Sequence, residues 1–536
     1  MYRSTELYNC ATGRVSPDGE YPQVPQRSIS GPLPNWLYTR EAAVRLDRLA
    51  QELDGVSGDE LMRRAGAASF TRLRRQWPQA KSLVVLCGGG NNGGDGYVVA
   101  ALARRAGLRV QLFALKSPES LSAEAANAAR LALDAGVVPH PFDPSLPNTG
   151  ADLVVDALLG TGVDRPVSSV YGAAIDWINA CPCPVMALDV PSGLNADTGV
   201  VLGTAVRADL TVTFIALKRG LFTGAGPDHV GLLVFDRLGV SKAPFQQITQ
   251  RVARYRYPSG LEALPGRARD AHKGRFGHCL VVGGNRGMGG AALLAGLAAV
   301  RTGSGLVSLA TRPTTVVAAH ARAPELMARA VRSGPVLAEL VSRASVLTVG
   351  PGLGQDTWAR SLWAQVLEAR LPLVVDADAL NLLAELKVPP YRNDWILTPH
   401  PGEAARLLGT SVAAVEADRF AAAAALQQRH GGAVVLKGVG TLVATPGGRL
   451  SLCDGGNPGM ASGGMGDLLT GVISGLCAQG LDVAQAATLG VALHAEAGDC
   501  AAASGERGLI ASDLLPALRV LVNGARPPDK SGGGSW

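Results

Sequence analysis

Two glycine-rich stretches in this chain each carry a carboxylate, and both are built to handle anions. In the later one, Gly455-Gly456-Asn457-Pro458-Gly459-Met460-Ala461-Ser462-Gly463-Gly464-Met465-Gly466-Asp467 runs straight into an apolar helical sequence. Successive glycines ahead of a helix leave a nest of backbone N–H donors, and the helix dipole adds its positive end. Asp467 falls in the first helical turn, a base beside an oxyanion stabiliser. Phosphoryl transfer to a hydroxyl needs that pairing. The plainer reading is a tightly packed helix start that binds nothing. In the earlier stretch, a strand sequence at 82–87 passes into Gly88-Gly89-Gly90-Asn91-Asn92-Gly93-Gly94-Asp95-Gly96. Gly88, Gly90 and Gly93 fit G-x-G-x-x-G between a strand and a helix, the pattern that lets backbone N–H groups approach a phosphate. A dinucleotide dehydrogenase would place a ribose-binding acid at the end of the next strand. That strand ends Phe113-Ala114-Leu115-Lys116, so the simple dehydrogenase reading weakens.

Other strand ends add polar groups. Asp156 opens the run DALLGTGVDRP, and Asp189 lies in LDVPSGLNADTG. A carboxylate at such a place can take and return a proton, although bracing a loop is the commoner fate. Lys437-Gly438-Val439-Gly440-Thr441 has the wrong order for a Walker A loop. It follows a strand and suits a loop over nucleotide phosphates, while Gly440 equally suits a hairpin turn. His400, in Pro399-His400-Pro401-Gly402-Glu403 at another strand end, is favoured as a site residue.

The elements that must position these groups repeat one grammar twice. Apolar strand sequences lie at 82–87, 109–115, 152–158, 184–190, 210–216 and 231–236, with helical stretches such as 97–107 and 123–136 between them and a broken helix over 39–76. After a break near 246–260 the alternation resumes, with strands at 278–284, 306–311, 346–351, 372–378, 395–399, 433–438 and 441–446, then helix from about Asp467. Continuous apolar strands alternating with helices predict α/β units with parallel sheets covered on both faces. Ligands of such sheets bind beyond the carboxyl ends of the strands, where most of the glycines fall. The expected domains span 37–245 and 255–525, with tails at 1–36 and 526–536.

Composition agrees with this. The 536 residues are 47% hydrophobic and 18% charged, with 67 glycines, a net charge of +6 and no long basic run. Collagen, bulk disorder and a dedicated nucleic-acid surface are excluded. The eight scattered cysteines form no CxxC pair, which favours buried thiols in a reducing compartment over zinc. With no signal-like or membrane-spanning stretch, a cytoplasmic location is expected, without a nucleic-acid or membrane partner.

At VLCGGGNNGGDGYVVA, DALLGTGVDRP, LDVPSGLNADTG and FIALKRGLFTGAG the chain resembles the NAD(P)H-hydrate epimerase family over about 37–240. The resemblance implies a Rossmann-like three-layer αβα fold. It implies that Asn91, Asn92, Gly93, Gly94 and Asp95, with Gly160, Thr161, Gly162, Val163, Asp164, Arg165 and Pro166, hold the hydrated dinucleotide. Asp189 would contact the substrate and do acid/base work at the hydrate carbon. Asn92, Asp156 and Ser192 would bind a potassium ion, and Arg165 and Lys218 would offer positive charge.

The second half, over about 255–522, resembles the ribokinase-like superfamily, and within it the ADP- or ATP-dependent NAD(P)H-hydrate dehydratases. The blocks are HKGRFGHCLVVGGNRGMGGAALLAG, VGPGLG, VVDADALNLL, ILTPHPGEAARLLG, VVLKGVGTLV and GNPGMASGGMGDLLTGVISGLCAQG. The resemblance implies that Ala291, Gly354, His400 and Asp467 contact the hydrate, and that Lys437, Gly438, Val439, Gly440, Thr441 and Gly466 contact the nucleotide with magnesium. Met465 replaces a usual Thr, and Asn285 and Met288 replace Ser and Tyr. Since an anion hole made of backbone does not need those side chains, activity is expected to survive. The function expected is repair of hydrated NADH and NADPH. The first domain interconverts the R and S epimers, and the second dehydrates the S form at the expense of ADP or ATP. A homo-oligomer is expected. The alternative is a ribokinase-like kinase for a vitamin precursor, with a non-catalytic first domain.

Overall fold

The computed structural model describes residues 33–524, except 146, 148, 149, 168 and 333. Of the tails expected at 1–36 and 526–536, residues 1–32 and 526–536 lie outside the described residues. The chain divides into two units at Arg251/Val252.

In the first unit, seven parallel strands among the described residues form one sheet. They are β1 (Ser82–Cys87), β2 (Arg109–Ala114), β3 (Pro139–Pro141), β4 (Leu153–Ala157), β5 (Val185–Leu188), β6 (Leu210–Phe214) and β7 (Leu232–Asp236), in the order β3-β2-β1-β4-β5-β6-β7. The order reverses between β1 and β4, the place where an open parallel sheet leaves a crevice. Register makes the crevice sharp. Cys87 is level with Ala157 on one side and Ala114 on the other, so the loops after β1 and β4 start side by side. Gly88 N–H then bonds the Ala157 carbonyl at 2.9 Å. Three helices matter for the site: α1 (Arg40–Asp54), α2 (Gly58–Gln76) and α3 (Asn91–Arg105). The broken helix expected over 39–76 breaks at Gly55, whose φ of 67° ends α1, and Ser57 caps α2 by accepting from Glu60 N–H.

In the second unit the strands are β8 (Val252–Tyr255), β9 (His278–Val282), β10 (Leu306–Thr311), β11 (Met327–Ala330), β12 (Val346–Val349), β13 (Leu373–Val375), β14 (Trp395–Leu397), β15 (Ala433–Leu436), β16 (Thr441–Thr445) and β17 (Arg449–Cys453). Their order is β11-β10-β9-β12-β13-β14-β15-β16-β17-β8. Pairing is parallel from β11 to β15, antiparallel through β16 and β17, then parallel to β8. The order reverses between β9 and β12. Two long helices matter here, α4 (Gly289–Thr302) and α5 (Met465–Ala478); α5 is buried on nearly all sides.

Four of the strands named above are not legible from pattern. Pro139–Pro141 and Met327–Ala330 sit at sheet edges with little apolar character. Arg449–Cys453 completes the antiparallel part. Val252–Tyr255 lies in the stretch read as a break, which instead begins the second unit's sheet. The helix expected from 97 starts at Asn91. Gly93, Gly94 and Gly96 are therefore helical, not loop, residues. Cβ atoms there would sit 2.0 Å from the Gly88 carbonyl oxygen, 2.4 Å from Met62 Sδ and 2.5 Å from Ala157 Cβ. These glycines let α3 lie close on its neighbours.

Candidate active sites

The crevice of the first unit is a cavity of about 910 Å³. That is at the upper end for small-molecule sites, which run about 300–1,000 Å³. Its walls take in Asn91, Asn92, Asp95, the whole run Gly160 to Pro166, Asp189 and Lys218. Gly93 and Gly94 are buried and do not line it.

Asp189 is presented by a strained turn. It follows β5 with φ 62°, and Val190 N–H bonds back to the Leu188 carbonyl at 2.8 Å. A three-residue turn with positive φ is rare for a residue other than glycine and concentrates at functional sites. Ile215, at the end of β6, repeats the device with φ 57°. Lys218 Nζ ion-pairs with Asp189 Oδ1 and also donates to the Phe214 carbonyl at 2.9 Å. The lysine is buried and committed to Asp189, whereas Arg165 is exposed on the rim. Thr213 Oγ1–H and Phe214 N–H donate to the same carboxylate oxygen at 3.1 and 3.2 Å. Two more acids face this cavity. Burial, then Asp189 and Asp47, pushes the Asp95 carboxyl well above its usual range. Asp47 on α1 is pushed up to about 6, chiefly by loss of solvation.

Asp156, Ser192 and Asn92 form a second cluster beneath the loop after β4. Asp156 is fully buried and accepts from Ser192 Oγ at 2.6 Å, Ser192 N–H at 2.8 Å and Leu158 N–H at 3.2 Å. Burial still pushes its carboxyl up to about 6. The amide of Asn92 is buried with neither Oδ1 nor Nδ2 partnered. An orphaned amide against Gly160 of that loop and an under-compensated carboxylate under it are donors that a hard monovalent cation would satisfy.

In the second unit, the chemistry gathers around Lys437. Its Nζ lies 2.7 Å from Asp376 Oδ1 and 3.9 Å from Glu403 Oε2. Asp376 is 1% exposed and also accepts from Thr398 and Thr470 hydroxyls, each at 2.8 Å. Burial opposes its charge, but Lys437 and these hydroxyls outweigh that and hold the carboxyl below its usual range. Asp467 has the opposite fate. Burial first, then the charges of Asp376, Asp378 and Glu403, push it up to about 6. It sits in the first turn of α5, whose N-cap Gly464 has φ 88° and offers no side-chain cap. The donors at this helix start are left to a ligand.

Packing aims that helix start. A Cβ at Gly464 would sit 2.6 Å from Leu294 Cδ1, one at Gly471 2.1 Å from the Ala295 carbonyl oxygen, and one at Gly475 2.7 Å from the Ala299 carbonyl oxygen. These glycines seat α5 directly on α4. The preceding loop is held from below. Arg254 and Arg256 both bond the buried Asp454 carboxylate, and Asp499 accepts from Gly456 N–H and Asn457 Nδ2.

The remaining expected residues fall as follows. Lys437 to Gly440 are the turn of the β15–β16 hairpin. Thr441 begins β16 and bonds back to the Gly438 carbonyl at 2.9 Å. Val439 is exposed and Lys437 turns inward. A Cβ on Gly466 would lie 3.3 Å from Lys437 Nζ, so this residue joins the cluster. Gly354 N–H bonds Asp378 at 2.7 Å, and Ala291 borders the adjoining Gly352. His400 caps a short helix through Nδ1, which accepts from Gly402 N–H, while its backbone N–H bonds Glu403. Burial and then Lys437 keep its imidazole below its usual range. Asp376, Asp378 and Glu403 were not picked out from sequence, although each lies within a strand-end block. Asp47 has no motif around it at all.

Comparison with known proteins follows this division. Residues 279–519 match the family model described as NAD(P)H-hydrate dehydratase, and 58–220 match that of the YjeF-related protein N-terminus. The chain is 50% identical over 488 residues to the bifunctional NAD(P)H-hydrate repair enzyme Nnr of Coxiella burnetii, covering 91% of this chain and 99% of that one. The chain belongs to the bifunctional NAD(P)H-hydrate repair enzymes. The repair enzyme of Escherichia coli is 44% identical over 492 residues, covering 92% and 95% of the two chains. Among solved structures, an ADP/ATP-dependent NAD(P)H-hydrate dehydratase from Bacillus subtilis is 31% identical, covers 48% of this chain and 94% of that one, and has a TM-score of 0.42. The dehydratase domain of this repair enzyme is the second unit, which holds the residues matched to the dehydratase family model. No helix among the described residues is long and apolar enough to cross a membrane.

Proposed function

We propose that the first unit interconverts the R and S epimers of NAD(P)H-hydrate in the Asp189 cavity, and that the second dehydrates the S epimer at the expense of ADP or ATP. The observation that carries the second reading is Asp467 at the uncapped start of α5 with its carboxyl near 6. A base with that pKa is largely ionised at neutral pH yet still accepts a proton readily. Asp467 takes the proton of the hydrate hydroxyl as that oxygen attacks the terminal phosphoryl group. The N–H groups of the helix start hold the charge in transfer. The carbon–oxygen bond of the phosphate ester then breaks, driven by the ring nitrogen's lone pair, inorganic phosphate leaves, and loss of a proton from the neighbouring ring carbon restores the double bond. Lys437 and Asp376 keep this end of the sheet charge-balanced beside the base. Asp378 and Glu403 add oxygen donors of the kind magnesium takes, and the metal, bound with the nucleotide, would screen phosphate charge. Met465 is buried, so the backbone here serves in place of the usual hydroxyl.

In the first unit Asp189 does the acid/base work at the hydrate carbon, with Lys218 fixing its orientation. Asn92, Asp156 and Ser192 would hold potassium, supported by the orphaned amide and the buried carboxylate. The ion would supply positive charge near the dinucleotide phosphates.

Initial rates on each separated epimer, with ADP and with ATP, test both readings. The S form should regain the NADH absorbance band directly and the R form only through the first unit. Asp467→Asn should abolish recovery. Asp189→Ala should leave S-epimer dehydration intact while slowing R-epimer consumption to the spontaneous rate. Phosphorylation of a pyrimidine or thiazole alcohol without NADH recovery would instead support the vitamin-precursor kinase.

A further inference from the structure

Helix α1 lays one stripe along the epimerase cavity. Ala43, Asp47 and Gln51, spaced four apart, line it together with Val44 and Arg48, while Leu46, Leu49 and Ala50 turn into the core. Asp47 is the acid of that stripe. It acts on Lys218 and Asp189 through space rather than through a hydrogen bond. The charged groups that face it are Asp189 and Lys218 on the strand ends and Asp95 on α3. Asp189 is already engaged by Lys218, Thr213 and Phe214. A carboxyl with no hydrogen-bonded partner, on a wall shared with an ion-paired carboxylate, divides the two roles that epimerisation requires.

Resting on the epimerase reading above, we infer that Asp47 is the second proton-transfer group of that reaction, the acid that complements the base Asp189. Water added to a dihydropyridine ring leaves a carbon bonded to both a hydroxyl and the ring nitrogen. Inverting that carbon requires one of its bonds to open and reclose. Asp189 removes the hydroxyl proton as the carbon–nitrogen bond breaks, and Asp47 gives its proton to the departing nitrogen. The products of this half are a carbonyl and an N–H. Rotation presents the other carbonyl face, the nitrogen attacks it, the N–H proton returns to Asp47, and Asp189 returns its proton to oxygen. No other reactant enters, and both carboxyls end as they began. The environment fits the assignment: loss of solvation keeps Asp47 protonated to about pH 6, and Asp95 beside it is held protonated well above the usual range.

The test measures initial rates of R-epimer conversion from pH 5.5 to 8.5 in the whole enzyme, with the denaturation midpoint as the control for folding of the first unit and S-epimer dehydration as the control for the second. Wild type should lose epimerase rate as pH rises above about 6. Asp47→Asn should cost at least tenfold and flatten that decline, with dehydration unchanged, and Asp47→Glu should restore both part of the rate and the decline. An Asp47→Asn rate within twofold of wild type overturns the assignment. So does a slower rate that keeps the wild-type pH profile, which would mark a structural role. Failure of the epimerase reading itself is distinct: wild type would then convert the R form no faster than buffer does.

Discussion

Replacing Asp467 with Asn should remove dehydration and at the same time stabilise the second unit. Burial and three neighbouring acids raise this carboxyl from 3.8 to about 6. Ionising it in the folded protein therefore costs about 3 kcal/mol relative to the unfolded chain. The positive end of α5 works the other way by roughly 0.3–1 kcal/mol, leaving about 2 kcal/mol. The sign follows from the folded value lying above the unfolded one. Wild type enjoys the full benefit of the protonated group below the unfolded value near 3.8 and loses it as pH rises through 6. Asn never ionises, so its advantage appears above pH 6 and vanishes toward pH 4. Hydrogen exchange of α5 amides in the whole protein reads this directly. At pH 7.5 the variant should be protected on the order of 30-fold more than wild type, equivalent to about 2 kcal/mol, and the two should converge near pH 4. Equal protection at both pH values, or weaker protection of the variant at pH 7.5, would refute the claim that Asp467 is held ionised against its surroundings.

Three further outcomes follow from the geometry. The kcat/KM of dehydration should fall about tenfold per pH unit below pH 6, because the base must be ionised; a flat profile to pH 5 removes Asp467 from that role. Gly471→Ala, although alanine normally favours a helix interior by about 1 kcal/mol, should destabilise the second unit by roughly 1–3 kcal/mol through its clash with the Ala295 carbonyl, as a shifted denaturation midpoint would show. Exchanging potassium for tetramethylammonium should slow R-epimer conversion but not S-epimer dehydration, and Asp156→Asn should abolish the difference between the two salts.

Much of the molecule is legible in local patterns. Each apolar run such as SLVVLC or DLVVDAL became a strand within a residue or two, because a strand buried on both faces needs a continuous apolar sequence. Asp189 and Asp467 stand out for a related reason: each interrupts apolar or glycine-rich sequence at an element boundary. The edge strands Pro139–Pro141 and Met327–Ala330 do not, since an edge with one pairing partner asks little of its side chains.

The sequence by itself determined the two αβ halves, the likeness to hydrate epimerases and dehydratases, and the choice of Asp189 and Asp467 as candidate acids at element boundaries. Those features depend on short-range order, which the sequence displays directly. Only the tertiary structure decided which distant groups surround those acids. Asp376 and Asp378 come from the end of one strand and Glu403 from the helix after the next strand to raise Asp467, and Asp47 comes from a helix with no motif to line the same cavity as Asp189. It also divided the glycines by purpose. Gly464 both leaves a helix start uncapped and seats it on Leu294, whereas Gly93, Gly94, Gly471 and Gly475 let neighbouring segments approach. A glycine reads the same in sequence whichever it does. What distinguishes the two uses is the atom that a Cβ would meet, and that atom lies elsewhere in the chain.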